Sequence, residues 1–402
     1  MHEAVDTAGD LIVQRPEGLY CPAGGFYIDP WRPVARAVLT HAHADHARRG
    51  HGAYLATAVS EGVLRARLGG ITLQGLAYGE VVHMNGVQVS LHPAGHVLGS
   101  AQVRVAHGGR VWVASGDYFV SGHANDANTT CAPFEPVRCD CFITESTFGL
   151  PIYRWRPQAE VMAQVNAWWS ANAEAGRASL LLGYSFGKAQ RLLAGVDSRI
   201  GPIFVHAAVQ PVNDAYRAAG VALPSTSVLS AGTAPALLRR ALVVAPPSVR
   251  GSAWASLLGD CSDAFASGWM QLRGARRRQG VQRGFVLSDH ADWPGLQRAI
   301  AATGAQRVVV THGQEATMVR WLQQQGLQAA SFATEYGQGD GTDAAGAHEA
   351  GDAGASAHAA INADADVDVD AKADADAEIQ ATARTEAPAR CAADTVIDAC
   401  RS

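Results

Sequence analysis

The apolar residues of this chain are grouped in short runs, each of which ends at small or polar residues. Their length and β-branched content predict buried strands. Helical segments lie between several runs, since Val161, Val165 and Trp169 recur at helical spacing behind Pro157. Strands that alternate with helices indicate an α/β fold. The predicted strands lie in ARAVLTH, GVQVSLHPAGH, RVWVASGD, CFITES, ASLLLGYS, GPIFVHAAV, RALVVAPP, FVLSDH and RVVVTHG.

The apolar pattern stops near residue 338. From Asp340 to Ser402 there are 14 acidic residues and 4 basic ones, and large apolar side chains are almost missing. Such a segment cannot bury enough apolar surface to offset the entropy of ordering it. We therefore expect residues 339–402 to form a disordered acidic tail. This tail is either a solvated extension or a mimic of nucleic acid that competes for a basic surface.

Composition and charge narrow the class of protein. The 402 residues are 48% hydrophobic, which excludes a fibrous or wholly disordered protein. The net charge is −5, yet residues 1–339 carry 28 basic and 23 acidic side chains, which fits a polyanionic partner. No stretch approaches the roughly 18 consecutive apolar residues of a membrane helix. The first residues lack the basic and apolar regions of a secretion signal, so we expect a cytoplasmic protein without a membrane partner.

The densest chemistry follows the predicted strand ARAVLT. Here His41, His43, Asp45 and His46 stand within six residues. In an extended turn, His41 and His43 point the same way, while Asp45 and His46 can turn toward a neighbouring point at the start of the next helix. One loop can therefore supply donors to two adjacent divalent metal ions. Imidazole and carboxylate donors suit Zn²⁺ best and also accept Mn²⁺.

This HxHxDH segment resembles the signature of the metallo-β-lactamase fold, an αββα sandwich. Two later motifs of that fold resemble His96 in SLHPAGH and Asp117 in VASGDY. An early Asp that braces the ligand loop resembles Asp29 in FYIDP. The three positions follow in the order that the resemblance requires.

The sequence beyond Asp117 resembles a narrower group, the β-CASP nucleases. Their motifs A, B and C resemble Glu145 in ITESTFG, His290 in LSDHADW and His312 in VVVTHGQE. The resemblance implies a metallo-β-lactamase domain interrupted by an inserted α/β β-CASP domain. The implied divisions are 1–149 for the first part of the metallo-β-lactamase domain, 150–286 for the insertion, 287–338 for the C-terminal part, and 339–402 for the tail.

The resemblance also implies roles for these residues. His41, His43 and His96 would hold one metal ion, Asp117 would bridge the pair, and the remaining ligands of the second ion would be Asp45, His46 and His312. The catalytic residues would be Asp117, Glu145 and His290. Two such ions activate water for phosphodiester hydrolysis. His290 would protonate the leaving oxygen, with Glu145 orienting its imidazole.

Three segments, PFEPVRCDCFITESTFGLP, LLLGYSFGKAQRLL and DAFASGWMQLRGARRRQG, resemble the bacterial ligase-associated DNA exonucleases. This resemblance implies DNA end processing beside an ATP-dependent DNA ligase and a helicase. His312 favours an alternative, an RNA-processing nuclease like that of mRNA 3′-end formation, because the DNA-specific Artemis group usually has Val at motif C. The complete motif series disfavours two further alternatives, an inactive scaffold subunit and a small-molecule hydrolase.

Substrate contacts are suggested at two places. In LLLGYSFGKAQRLL a strand ends before a helix that starts at Lys188, so Ser185 and Lys188 are candidates for binding phosphate at an outward-facing anion site. An ordinary strand–turn–helix connection is the alternative. Arg276 and Arg277 lie in an arginine-rich segment before motif B that could track a phosphate backbone. A solvated basic loop explains that segment equally well.

Overall fold

The computed structural model describes residues 9–123, 128–274, 277 and 280–332. The predicted tail at 339–402 and Arg276 lie outside the described residues. Strands form three sheets with helices packed against them, which confirms the α/β class. No helix in the described ranges combines the length and apolar content needed to cross a membrane.

The elements are numbered here in chain order. The strands are β1 Val13–Arg15, β2 Gly18–Cys21, β3 Phe26–Ile28, β4 Arg36–Val38, β5 Ala53–Thr57, β6 Leu73–Leu76, β7 Val81–Met84, β8 Val87–Pro93, β9 Ala101–His107, β10 Arg110–Ala114, β11 Cys141–Ser146, β12 Ala178–Leu182, β13 Ile203–Val205, β14 Ser227–Val228, β15 Leu242–Ala245, β16 Cys261–Ala266, β17 Arg283–Phe285, β18 Arg307–Gly313 and β19 Gln328–Ser331. The α-helices are α1 Glu61–Leu68, α2 Gln158–Glu174, α3 Lys188–Gly195, α4 Gln210–Ala218, α5 Pro235–Leu238, α6 Ala253–Ser256, α7 Trp293–Thr303 and α8 Glu315–Gln324. Short 3₁₀ segments are Ala58–Ser60, Pro247–Val249 and Gly268–Gln271.

Two of the sheets share a core. The first sheet has the order β1-β2-β3-β4-β5-β6, and the second has the order β19-β18-β11-β10-β9-β8-β7. One cluster of buried side chains contains Phe26 and Ile28 of the first sheet and Val103, Val105 and Ile143 of the second. In β9, Val103 and Val105 are buried whereas the intervening Arg104 is only half-buried, as expected for a strand with one apolar face.

Helices cover the outer faces of these two sheets. Leu296 and Ile300 of α7 pack with Met318 of α8 in a cluster that includes Phe142 of the second sheet. Helix α7 begins where the Asp292 side chain accepts a hydrogen bond from the Gly295 N–H, and it ends at Gly304 in the left-handed conformation. On the first sheet, α1 packs in a cluster with Tyr54 and with residues of α4. The result is an arrangement of helix, sheet, sheet and helix.

The third sheet has the order β14-β13-β15-β12-β16-β17, and its paired strands are all parallel. Its central strands are buried on both faces, so β12 (ASLLL) and β15 (LVVA) are almost continuously apolar. Every strand of this sheet comes from between β11 and β18 of the second sheet. The boundaries 1–149, 150–286 and 287–338 remain predictions, although this sheet lies within the second range.

Candidate metal and catalytic site

The candidate site lies where strands of the first two sheets end. Asp117, Glu145 and His312 follow or end β10, β11 and β18, which are parallel neighbours. The carboxyl ends of parallel neighbours meet at one edge of a sheet, so these three side chains are brought together from distant parts of the chain. His41 and His96 follow β4 and β8 and join them at that edge.

The first donor group consists of His41, His43, His96 and Asp117, whose donor atoms all lie within 4.8 Å of one another. His43 Nδ1 is 3.0 Å from His41 Nε2 and 3.1 Å from His96 Nε2. Asp117 Oδ2 lies 3.5 Å from His41 Nε2 and 3.8 Å from His96 Nε2. Four donors from three loops therefore converge on one point, as the ligands of a single cation do.

The second donor group consists of Asp45, His46 and His312. His46 Nε2 lies 3.3 Å from Asp45 Oδ2 and 3.5 Å from Asp117 Oδ2. This nitrogen is buried and has no hydrogen-bond partner among the described residues. A buried nitrogen between two carboxylates, without a hydrogen-bond partner, is the arrangement that a bound cation would satisfy. Asp117 contacts both groups, which is the position that a bridging ligand requires.

The histidines of the two donor groups differ in protonation. Burial disfavours the charged form of His46, but the carboxylates of Asp45, Asp117 and Asp29 outweigh burial and raise its pKa well above the usual range, whereas the other histidines are neutral. Burial lowers the pKa of four of them, and it lowers the pKa of His43 to about 4. A neutral imidazole is the form that binds a metal ion. The carboxyl of Asp117 is buried too, but His46 and His290 outweigh the effect of burial and hold its pKa well below the usual range. The four neutral imidazoles are those of His41, His43, His96 and His312.

Asp29 braces the loop that carries the first ligands, as the sequence indicated. Its Oδ1 accepts the backbone N–H of Thr40 at 2.8 Å, and its Oδ2 accepts the Thr40 hydroxyl at 2.5 Å. His46 Nδ1 donates to the same Oδ2 at 2.7 Å. This hydrogen bond fixes one proton of His46 on Nδ1 and directs Nε2 at the donor group, where a bound cation would displace the Nε2 proton. Asp29 also has a positive φ of 43°, a conformation that costs energy for a residue other than glycine.

The buried Glu145 and His290, whose side chain is 24% exposed, form a pair beside Asp117. His290 Nδ1 lies 2.9 Å from Glu145 Oε2 and 3.1 Å from Oε1, and Oε1 also accepts the Tyr118 N–H at 2.8 Å. Burial disfavours the imidazolium, but Glu145 and Asp117 outweigh it and raise the pKa of His290 to about 9. With Nδ1 engaged, Nε2 is the nitrogen that can donate a proton to a substrate. One donor atom each of Asp117, Glu145 and His290 also lies within 4.8 Å of the other two, so a ligand role for His290 is the alternative.

A buried ion cluster holds the loop before His290. Asp289 Oδ2 pairs with Lys188 Nζ at 2.9 Å, and Asp289 Oδ1 pairs with Arg191 Nη1 at 3.1 Å. The side chains of all three residues are at most 6% exposed. The backbone oxygen of Asp289 accepts a hydrogen bond from His96 Nδ1 at 2.9 Å. Helix α3 is thereby connected through Asp289 to a residue of the first donor group.

The structure corrects one expectation for the segment around Lys188. Its ammonium does not face outward, since it is buried, paired with Asp289 and donates to the Leu287 carbonyl at 3.0 Å. The nearby Gly187 N–H is bonded to the Gln190 side chain at 2.8 Å. Ser185 is buried as well. These contacts assign Lys188 to the connection between α3 and the His290 loop, and a phosphate contact by Ser185 stays a prediction.

The structure describes only one of the two arginines predicted to contact nucleic acid. Arg277 is exposed, as a residue that binds a nucleic-acid backbone must be, but no described contact relates it to the donor groups. Arg276 lies outside the described residues. Both assignments stay predictions.

Comparisons with known proteins give partial matches. No protein-family model matches the chain. A stretch of 319 residues, 79% of this chain, is 30% identical to a "Probable DNA ligase" of Opitutus terrae and makes up 30% of that protein. A stretch of 125 residues, 31% of the chain, is 28% identical both to "Endoribonuclease YSH1" of Yarrowia lipolytica and to "Cleavage and polyadenylation specificity factor subunit 3" of Dictyostelium discoideum. It covers 14% and 16% of those proteins, so the chain spans less than a third of each curated relative.

One solved structure resembles the fold. It is a protein of unknown function from Enterococcus faecalis V583, with a TM-score of 0.51 and 13% sequence identity, and the match covers 75% of this chain and 80% of that one. At this identity the likeness concerns the fold alone. The sequence matches support a relationship to metallo-β-lactamase/β-CASP proteins.

Sequence reasoning missed two residues of the ion cluster, Asp289 and Arg191. The sequence contains a signal for both residues. Asp289 stands directly before His290 in LSDHADW, and Arg191 follows Lys188 by three residues, a spacing that places two cations on one side of a helix. Two cations on an otherwise apolar helix face predict a buried anionic partner.

Proposed function

We propose that this chain is a metal-dependent phosphodiester hydrolase of the metallo-β-lactamase/β-CASP type, and that it acts as an exonuclease on DNA ends. The observation that carries the proposal is that Asp117 belongs to the first donor group, contacts the second through His46, and lies beside the Glu145–His290 pair. Divalent cations bound there, with Zn²⁺ preferred over Mn²⁺, would neutralise charge on the phosphate and acidify a water molecule.

The chain's own residues would complete the reaction. His41, His43 and His96 would hold one cation with Asp117, and Asp45, His46 and His312 the other. His290 would donate the proton on Nε2 to the departing sugar oxygen, because a leaving alkoxide needs a proton at neutral pH. Glu145 would keep the His290 ring charged and in place through its contacts with Nδ1.

Action on DNA is supported by the relative named as a DNA ligase. The match includes 79% of this chain, although it makes up only 30% of that protein. A region similar to this chain thus occurs within a longer protein named for DNA joining. We therefore propose that this chain trims DNA ends before joining, with an ATP-dependent DNA ligase and a helicase as partners.

The second candidate is an RNA-processing nuclease. It is favoured by the matches to proteins named as endoribonucleases and by His312, because RNA enzymes of this type carry His at that motif. These matches cover 31% of this chain, much less than the ligase-named relative does. We rank the RNA activity second for that reason.

The experiment is a parallel digestion of end-labelled DNA and RNA of identical sequence. Metal-stripped protein is resupplied with Zn²⁺, Mn²⁺ or Mg²⁺, and Asp117→Ala serves as the blank. Metal-dependent release of mononucleotides from DNA is the expected result, and the label that is lost first reveals the direction. Cleavage of RNA alone would favour the second candidate. Failure to cleave either substrate with any of the metals would refute both.

A further inference from the structure

The segment that leads from Glu145 toward helix α2 has an alternating pattern of exposure. Tyr153 is buried and Trp155 is half-buried, whereas Arg154 and Arg156 are exposed. This period of two places both arginine side chains on the outer side of an extended segment, about 7 Å apart along the chain. Trp155 and Tyr153 face the opposite side, toward the aromatic cluster around Phe148.

Trp155 fixes this segment against the loop that carries His290. Its indole Nε1 donates to the backbone oxygen of His290 at 2.9 Å, and its backbone N–H donates to Asp292 Oδ2 at 2.9 Å. The Trp155 ring also packs edge-on against Phe148, with the ring centroids 4.8 Å apart. The two arginines therefore flank a residue that is fixed to the backbone of His290 itself and to Asp292 two residues later.

The charges of this segment are not balanced locally. Among the described residues, neither Arg154 nor Arg156 has a hydrogen-bond or ion-pair partner. The carboxylate of Asp292 is engaged by two backbone N–H groups, and the nearby acidic residue of α2 is the exposed Glu160. His123 adds an imidazole, since its Nε2 lies 3.2 Å from the Trp155 carbonyl oxygen.

We propose that Arg154 and Arg156 bind the phosphate backbone of the strand that departs with the leaving oxygen. The proposal rests on the nuclease function above, because it takes His290 as the group that protonates this oxygen. The nucleic acid on the leaving-oxygen side of the cleaved bond would then pass His290, and its phosphates would lie beside the loop that Trp155 anchors. Guanidinium groups bind phosphate through paired hydrogen bonds.

The test measures binding and cleavage by Arg154→Ala, Arg156→Ala and the double variant, with Arg36→Ala as the control. Arg36 is exposed at the amino end of β4, whereas the donor groups follow the carboxyl end of that strand. Binding of single-stranded oligonucleotides is measured by fluorescence anisotropy over a range of salt concentrations, in an Asp117→Ala background that prevents cleavage. Each lost phosphate contact lowers the slope of log K against log salt by about 0.7. Each substitution is also expected to weaken binding about tenfold.

A second arm locates the contact on the substrate. Single phosphates are replaced in turn by neutral methylphosphonate linkages on either side of the cleavage position. In the Asp117→Ala background, a neutral linkage on the leaving side should weaken binding, and this sensitivity should be lost in the double arginine variant. In the cleavage-competent protein the double variant should raise KM more than it lowers kcat.

The outcomes separate the two proposals. If unsubstituted protein cleaves nucleic acid but the arginine variants behave like Arg36→Ala, this inference is wrong and the nuclease function stands. The inference is also wrong if the methylphosphonate effect lies on the other side of the cleavage position. If unsubstituted protein cleaves neither DNA nor RNA, the nuclease function fails, and this inference fails with it.

Discussion

Replacement of Lys188 by methionine tests the buried ion cluster most directly. Methionine keeps the length of the side chain but removes the ammonium that pairs with Asp289 and donates to Leu287. Removing one partner of a buried ion pair typically destabilises a protein by about 3–5 kcal/mol, because the other charge is left without compensation. In Lys188→Met, Arg191 still pairs with Asp289, so we expect a destabilisation at the lower end of this range, about 3 kcal/mol.

Asp289→Asn should lower the free energy of unfolding more than Lys188→Met does. It removes the carboxylate that pairs with both cations, so two buried positive charges lose this ion pair at once. We expect about 5 kcal/mol, the upper end of the same range. Because the backbone oxygen of Asp289 orients His96, both variants should also bind metal about 10–100-fold more weakly.

The assay is urea unfolding of metal-stripped protein, combined with chelator competition for the metal affinity. Asp260→Asn is the matched control, because the Arg177–Asp260 pair is exposed and worth less than about 1 kcal/mol. The reasoning is refuted if Lys188→Met and Asp289→Asn lower the free energy of unfolding no more than Asp260→Asn does. If the variants lose stability but keep their metal affinity, the cluster stabilises the fold and does not orient His96.

Three further predictions concern single residues. Asp117→Ala should abolish cleavage while circular dichroism and nucleic-acid binding remain near those of unsubstituted protein; full turnover would exclude the bridging role. His290→Ala should slow cleavage by about 10²–10⁴-fold with metal content unchanged; loss of metal, measured by elemental analysis, would make His290 a ligand instead of the proton donor. Asp29→Ala should weaken metal binding about 10–100-fold, since His46 loses the acceptor that orients it; an unchanged affinity by chelator competition would contradict this.

The part of the site that could be predicted from sequence is the part encoded locally. His41, His43, Asp45 and His46 stand in one loop, so their spacing alone indicated two groups of donors. The Glu145–His290 pair is different, because its members are 145 residues apart. Only the resemblance to a family suggested that they meet. No local pattern specifies which strand ends become neighbours in a sheet.

The sequence did not predict that Lys188 is buried, and the reason is physical. A lysine at the start of a helix is normally solvated, and its burial depends on an anion that the tertiary structure supplies. That anion, Asp289, lies about a hundred residues further along the chain. Similarly, β1, β3 and β14 have three residues or fewer, too short to show a period of two. The longer β9 does alternate and was predictable in principle.

The position of β18 between β11 and β19 has a consequence for how the chain reaches its folded state. Strand β11 is flanked on one side by β10, which precedes it closely, and on the other by β18, which follows only after all strands of the third sheet. A nascent chain therefore has an unpaired β11 edge until residue 313 has been synthesised, and such an edge is open to association with other chains. The third sheet can form before that edge is closed, because all of its strands precede β18. His312 lies on β18 itself, so the candidate site cannot be complete before this last strand of the edge has paired with β11.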